Sequence, residues 1–134
     1  MPGLDKRKQA YLSGGIVWAM ITLTRPQDVD RPYVEFKASE ARAFRKLVRA
    51  TKGKVPPPDL SKIESAERRR RAEKDIAAVG RAYGPEYLVA GAELLEALTG
   101  SFNLEGRALV FPRHAQVGWL SAYIVGEALP KAKR

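Results

Sequence analysis

The sequence predicts a small α+β domain, of mixed αββα…ββα order with an inserted helical segment. Three observations carry that prediction. Residues 86–99 place Tyr87, Leu88, Gly91, Leu94, Leu95 and Leu98 on one helical face. Tyr33-Val34-Glu35-Phe36-Lys37 alternates apolar and polar residues, as a half-buried strand does. The chain has 134 residues, is 45% apolar and carries two tryptophans, which suits one domain with a real core and argues against global disorder.

Taken in order, Asp5 caps a helix over residues 5–13. Lys6, Arg7 and Lys8 in its first turn oppose the helix dipole, a mild cost that points to an outside partner. Residues 12–24 admit two readings. In one, Gly14-Gly15 is a turn and a strand runs from Ile16 to Thr24. In the other, the helix continues to about Ala19 and the strand begins near Met20. Two glycines inside a helix cost about 1 kcal/mol each relative to alanine, so the second reading needs an element packed closely against them. Residues 25–32, with two prolines, form a polar loop, and strand 33–37 completes a hairpin with a long tip. Ser39 caps the next helix, with Glu40 in its first turn, Phe44, Leu47 and Val48 inward, and Lys52-Gly53 as its end. Val55-Pro56-Pro57-Pro58 is a stiff connector.

Ser61-Lys62-Ile63-Glu64 reads as a capping box opening a charged helix through about Ala78. Gly80 and Gly84-Pro85 break the pattern before helix 86–99, which Gly100 stops. Segments 102–105 and 107–111 flank Glu105-Gly106 as a short hairpin. A helix over 114–129 turns Val117, Leu120, Ile124 and Ala128 inward, and a basic tail, Lys131-Ala132-Lys133-Arg134, ends the chain. The whole is expected to be one domain, 1–134, with 56–101 as a helical insertion.

Charge narrows the partner. Residues 1–58 hold 12 Lys/Arg against 5 Asp/Glu, residues 107–134 hold 5 against 1, and residues 59–106 hold 7 against 9. The surplus of +9 therefore belongs to the two ends, as in an anion-binding surface assembled from both, and the commonest large anion is nucleic acid. On the hairpin reading, Thr22, Thr24, Tyr33 and Lys37 face away from the core and Arg25 and Arg31 flank the loop. Arg113 completes the expected binding set. A two-stranded ribbon fits the major groove, so duplex DNA is favoured over RNA.

Other classes find little support. There is no cysteine, hence no disulfide framework and no thiolate metal site. No apolar run approaches the ~20 residues of a membrane helix. Leu12 to Leu23 contains Gly, Ser, Thr and Trp with no small-residue cleavage site after it, so it reads as structure and not as a signal peptide; a cytoplasmic location is expected. Gly14-Gly15 lacks the spacing and the lysine of a phosphate-binding loop, and no cofactor is expected. His114, the one histidine, makes neither a metal site nor a triad. Arg68 to Arg71, among Glu67, Glu73 and Asp75, reads as a solvated or salt-bridged face. No catalytic residue is expected.

The expected order of elements, apart from the middle helices, resembles one LAGLIDADG homing-endonuclease domain. The motif would fall on Leu12-Ser13-Gly14-Gly15-Ile16-Val17-Trp18-Ala19-Met20, identical at Leu12, Gly14 and Ile16. Hairpin 20–37, helix 39–52 and Trp119 to Lys133 fit the layout. The resemblance covers about 1–55 and 102–134. It implies a homodimer whose axis passes Gly14, Gly15 and Trp18, where small residues let two helices touch. It also implies a DNA-binding ribbon. The family's metal-binding acid would fall on Val17, with Ala19 beside it. Phosphodiester cleavage on that fold needs carboxylate ligands for hard cations, so the departure implies binding without cutting. A different class of reading is a protein-interaction or assembly subunit, such as a phage-encoded regulator of a host enzyme or part of a nucleoprotein particle, docking through helix 86–99.

Overall fold

The computed structural model describes residues 7–115. The basic tail, most of the expected helix 114–129 and residues 1–6 lie outside the described residues. In chain order the elements are β1 (Gln9–Tyr11), α1 (Gly15–Thr24), β2 (Tyr33–Phe36), α2 (Ala38–Ala50), α3 (Ala66–Ala82), α4 (Pro85–Ser101) and β3 (Ala108–Pro112), with a single 3-10 turn at Pro26–Asp28. The class is α+β. The order, strand-helix-strand-helix-helix-helix-strand, is not the helix-strand-strand-helix order on which the family likeness rests.

Among the described residues β3 is the central strand of three. It pairs in parallel with β1, Gln9 opposite Ala108, and antiparallel with β2, Val34 opposite Phe111 and Phe36 opposite Leu109. Neither expected hairpin exists. Residues 20–24 are helix, residues 102–107 are helix end and turn, and β2 finds its partner across the whole helical segment. Residues 9–11, expected in a helix, form an edge strand.

α1 explains the largest departure. It contains no charged residue, and Val17, Ala19, Met20, Ile21 and Thr22 are buried. It touches α2, α3 and α4. Its β-branched residues cost a few tenths of a kcal/mol each in a helix. Burial at about 25 cal/mol per Å² of apolar surface outweighs that cost. The glycines sit at its start, not its middle. Gly14 is the N-cap, at φ 145°, a region only glycine enters readily. A Cβ at Gly15 would collide with the Tyr83 hydroxyl. Gly14 thus answers to its backbone and Gly15 to close packing within the same chain, and the reasoning that placed a dimer axis there loses its premise.

The other helices follow their sequence signals with shifted ends. α2 starts two residues early, its N-cap being Lys37 and not Ser39, and the Lys37 N–H donates to Glu40 Oε2 at 2.8 Å. It closes through Lys52 and Gly53 at φ 50° and 78°, the Gly53 N–H reaching the Val48 carbonyl at 2.8 Å. α3 opens on Ser65, whose Oγ accepts from the Arg68 N–H, and runs through Gly80. Ser61 instead donates its N–H and hydroxyl to Asp59, both at 2.9 Å, which holds that carboxyl below its ordinary pKa. In α4, Leu88, Ala92, Leu95 and Thr99 are the buried face. Tyr87 and Leu94, expected inward, are 75% and 58% exposed. The core joins Val34, Phe36, Leu109 and Phe111 of the sheet to Val17, Met20 and Ile21 of α1, Phe44 and Val48 of α2, and Leu88 and Leu95 of α4.

Candidate nucleic-acid interface

Residues 25–32 connect α1 to β2 and are fastened by ion pairs. Asp28 is buried. Arg25 closes on its Oδ2 at 2.7 Å, a charge contact without an aligned hydrogen bond, and Arg31 on its Oδ1 at 3.2 Å. Asp30 receives Arg68 at 2.9 Å and Arg71 at 3.0 Å from α3, and Arg68 also donates to the Gln27 carbonyl. Arg113 ties the far side. Its Nη2 donates to the Asp28 carbonyl at 2.9 Å, its Nε to the Arg31 carbonyl at 3.2 Å, and its Nη1 faces Asp75 at 3.6 Å. Only 10% of its side chain is exposed. Burial lowers the pKa of the Arg113 guanidinium, and the charges of Asp75, Asp28 and Asp30 oppose that shift.

A second set of pairs joins α2 to α4. Arg42 meets Glu96 and Glu105, Arg45 meets Glu93 and Glu96, and Arg49 meets Glu93. Every cation in these pairs is an arginine. Among the described residues no lysine takes part in an ion pair. The planar five-donor fork suits fixed positions, and the ammonium of lysine remains a hydrated point charge.

Beside the loop, a groove of about 810 Å³ opens between β2, the start of α2 and the turn before β3. Arg25, Arg31, Tyr33, Lys37 and Arg107 line it, with Glu35, Glu40 and Glu105. Two of the carboxylates are engaged: Glu40 accepts from the Lys37 N–H and pairs with Arg25, and Glu105 pairs with Arg42. Tyr33 is 63% exposed. The N-terminal amides of α2 lie at the same groove wall, adding the positive end of a helix dipole.

Four of the seven residues expected to touch nucleic acid thus share one concavity. The remaining three do not join them there. Thr22 is 5% exposed, because its segment is a central helix and not an outer strand. Thr24 is exposed but its hydroxyl donates to the Met20 carbonyl at 2.7 Å, closing the last turn of α1. Arg113 is the structural tie described above. It lines instead a smaller cleft of about 490 Å³, together with Gly14, Gly15, Trp18 and Tyr83. Arg107 was missed by sequence reasoning; the signal available was its position beside the Glu105-Gly106 turn within the basic C-terminal segment. His114 is exposed, and among the described residues no three His, Cys, Asp or Glu side chains converge. No helix among the described residues is long and apolar enough to cross a membrane.

No family model, curated protein or solved structure matches this chain.

Proposed function

We propose that the protein binds nucleic acid, with duplex DNA as the favoured form, and does not cut it. The observation that supports this is the convergence of Arg25, Arg31, Tyr33, Lys37 and Arg107, from separate segments, on one groove at a helix N-terminus. The mode differs from a ribbon laid in the major groove, since that ribbon does not form. Lys37 and Arg31 supply phosphate contacts, Arg31 with its Nε on Asp28, Tyr33 supplies an exposed ring, and Arg25 is held by Asp28 and Glu40. Cleavage is not proposed because Glu40 and Glu105 are each engaged by an arginine and so make poor ligands for a hard cation.

Fluorescence polarisation with a labelled duplex over a range of salt tests this. Each neutralised phosphate contributes a slope of about 0.9 in log affinity against log salt. The Arg31→Ala, Lys37→Ala double variant is expected to flatten the slope by about 1.8. Unchanged affinity and slope would remove the groove from the interface.

A second reading, an assembly subunit, rests on the outer face of α4, where Tyr87 and Leu94 are exposed and Ala90 and Ala97 are the neighbours on that side. On that reading Leu94→Glu abolishes association with the partner and leaves DNA affinity unchanged.

A further inference from the structure

The run Arg68 to Arg71 divides by direction. At about 100° per residue, positions 70, 74 and 81 of α3 fall within about 40° of one another. Ala72 and Val79, the buried residues of this helix, lie roughly opposite. Arg68 and Arg71 turn toward the 25–32 loop and are spent on Asp30 and the Gln27 carbonyl. Arg69 donates to the Ile63 carbonyl at 2.7 Å. Arg70, Lys74 and Arg81 are exposed, and among the described residues none of them has an ion-pair or hydrogen-bond partner. Glu67, the nearest acid in the first turn, is drawn to Arg71 at 2.9 Å. Glu73 stands at the edge of the stripe.

Two further features fit an external ligand. The stripe spans roughly 16 Å along the helix axis, the axial rise of about five base pairs. It is also low. Ala77 lies between Lys74 and Arg81 and puts only a methyl group in the middle of the stripe.

We propose that the outer face of α3, through Arg70, Lys74 and Arg81, is a contact surface for the phosphate backbone of duplex nucleic acid. It extends the groove interface around the 25–32 loop. This rests on the nucleic-acid reading above. The loop joins the two surfaces: Arg31 lines the groove, Asp30 next to it receives Arg71, and the stripe begins at Lys74, about 60° further round the helix, past Glu67, which Arg71 holds. Phosphate contacts of this kind fix position on the duplex and carry no sequence preference of their own.

The test compares wild type, an Arg70→Ala, Lys74→Ala, Arg81→Ala triple variant and the groove double variant, each on unrelated DNA duplexes and on duplex RNA. Alanine raises helix propensity at exposed positions, so circular dichroism of the triple variant should match wild type. The expected result is a salt slope smaller by about 2.7 in the triple variant, equally on all sequences. That shrinks the loss of affinity between roughly 50 and 200 mM salt by about forty-fold. Wild-type slope in the triple variant, with a reduced slope in the groove variant, overturns this inference and leaves the groove standing. A reduced slope in the triple variant alone supports the α3 surface and removes the groove. Absence of salt-dependent binding by wild type overturns both.

Discussion

α3 has two basic faces that behave differently. On the inner side Arg68 and Arg71 reach Asp30 and hold the 25–32 loop, and Arg113 of β3's end secures the same loop from beneath. On the outer side Arg70, Lys74 and Arg81 meet nothing among the described residues. The residues are adjacent in sequence and alike in charge. The count of 24 Lys and Arg therefore overstates the free cations a partner would meet, because much of the arginine is committed to holding loops and helices, and it is the surplus of +9 over the acids that is left to face outward. Direction on the helix, a matter of 100° per residue, decides which cation is structural.

The strongest way to break that comparison is at Arg113. Its loss would strand the Arg31 carbonyl, take one of two donors from the Asp28 carbonyl and leave Asp75 without the guanidinium facing it. Arg113→Met is expected to cost about 3 kcal/mol in urea unfolding, with the denaturant slope unchanged. Arg70→Met should stay within about 0.5 kcal/mol of wild type. Equal costs would mean that both arginines are structural, or that neither is.

A smaller effect separates the two faces of α3 directly. Arg68→Ala with Arg71→Ala should cost about 1 kcal/mol, since both pairs are partly open to solvent. In a double-mutant cycle, Arg68→Ala and Asp30→Ala should be non-additive by about 0.5 kcal/mol, and Arg70→Ala and Asp30→Ala additive. Coupling between Arg70 and Asp30 would show that the outer face bends inward in solution.

The sequence made some of this legible and not the rest, for physical reasons. Strand 33–36 and the three later helices show in their periodicity because that signal is local, whereas their caps, read at Ser39 and Ser61, fall on Lys37 and Ser65. α1 does not, because Ile16, Val17, Ile21 and Thr22 favour strands by propensity and only burial by three other helices overrides it. Both hairpins failed because β3 pairs with strands that are distant in sequence, and no turn signal encodes that. The groove was half legible. Arg25, Arg31, Tyr33 and Lys37 lie within one short stretch, so a loop reading kept them together. Arg107 and the burial of Arg113 required the tertiary fold. The reading of Arg68 to Arg71 as a solvated or salt-bridged face divides by residue: Arg68 and Arg71 are salt-bridged, with their main partner, Asp30, in the distant loop, and Arg70 is solvent-exposed.

The smallest expected effect has the opposite sign to the others. Gly80 lies exposed in the last turn of α3, has ordinary φ, and a Cβ added there meets nothing within 4 Å among the described residues. Gly80→Ala should therefore stabilise the fold by about 0.5–1 kcal/mol, through helix propensity and a smaller unfolded-state entropy. Gly80 lies about 100° round the helix from Arg81, so the same methyl should leave duplex binding unchanged while thermal stability rises, and a loss of affinity would show that the contact surface reaches beyond the stripe. A variant that gains stability and keeps full affinity would show that the glycine serves no contact. A variant that loses stability would mean that Gly80 is packed against something, and the outer face of α3 would then not be free in the way the inner face is bound.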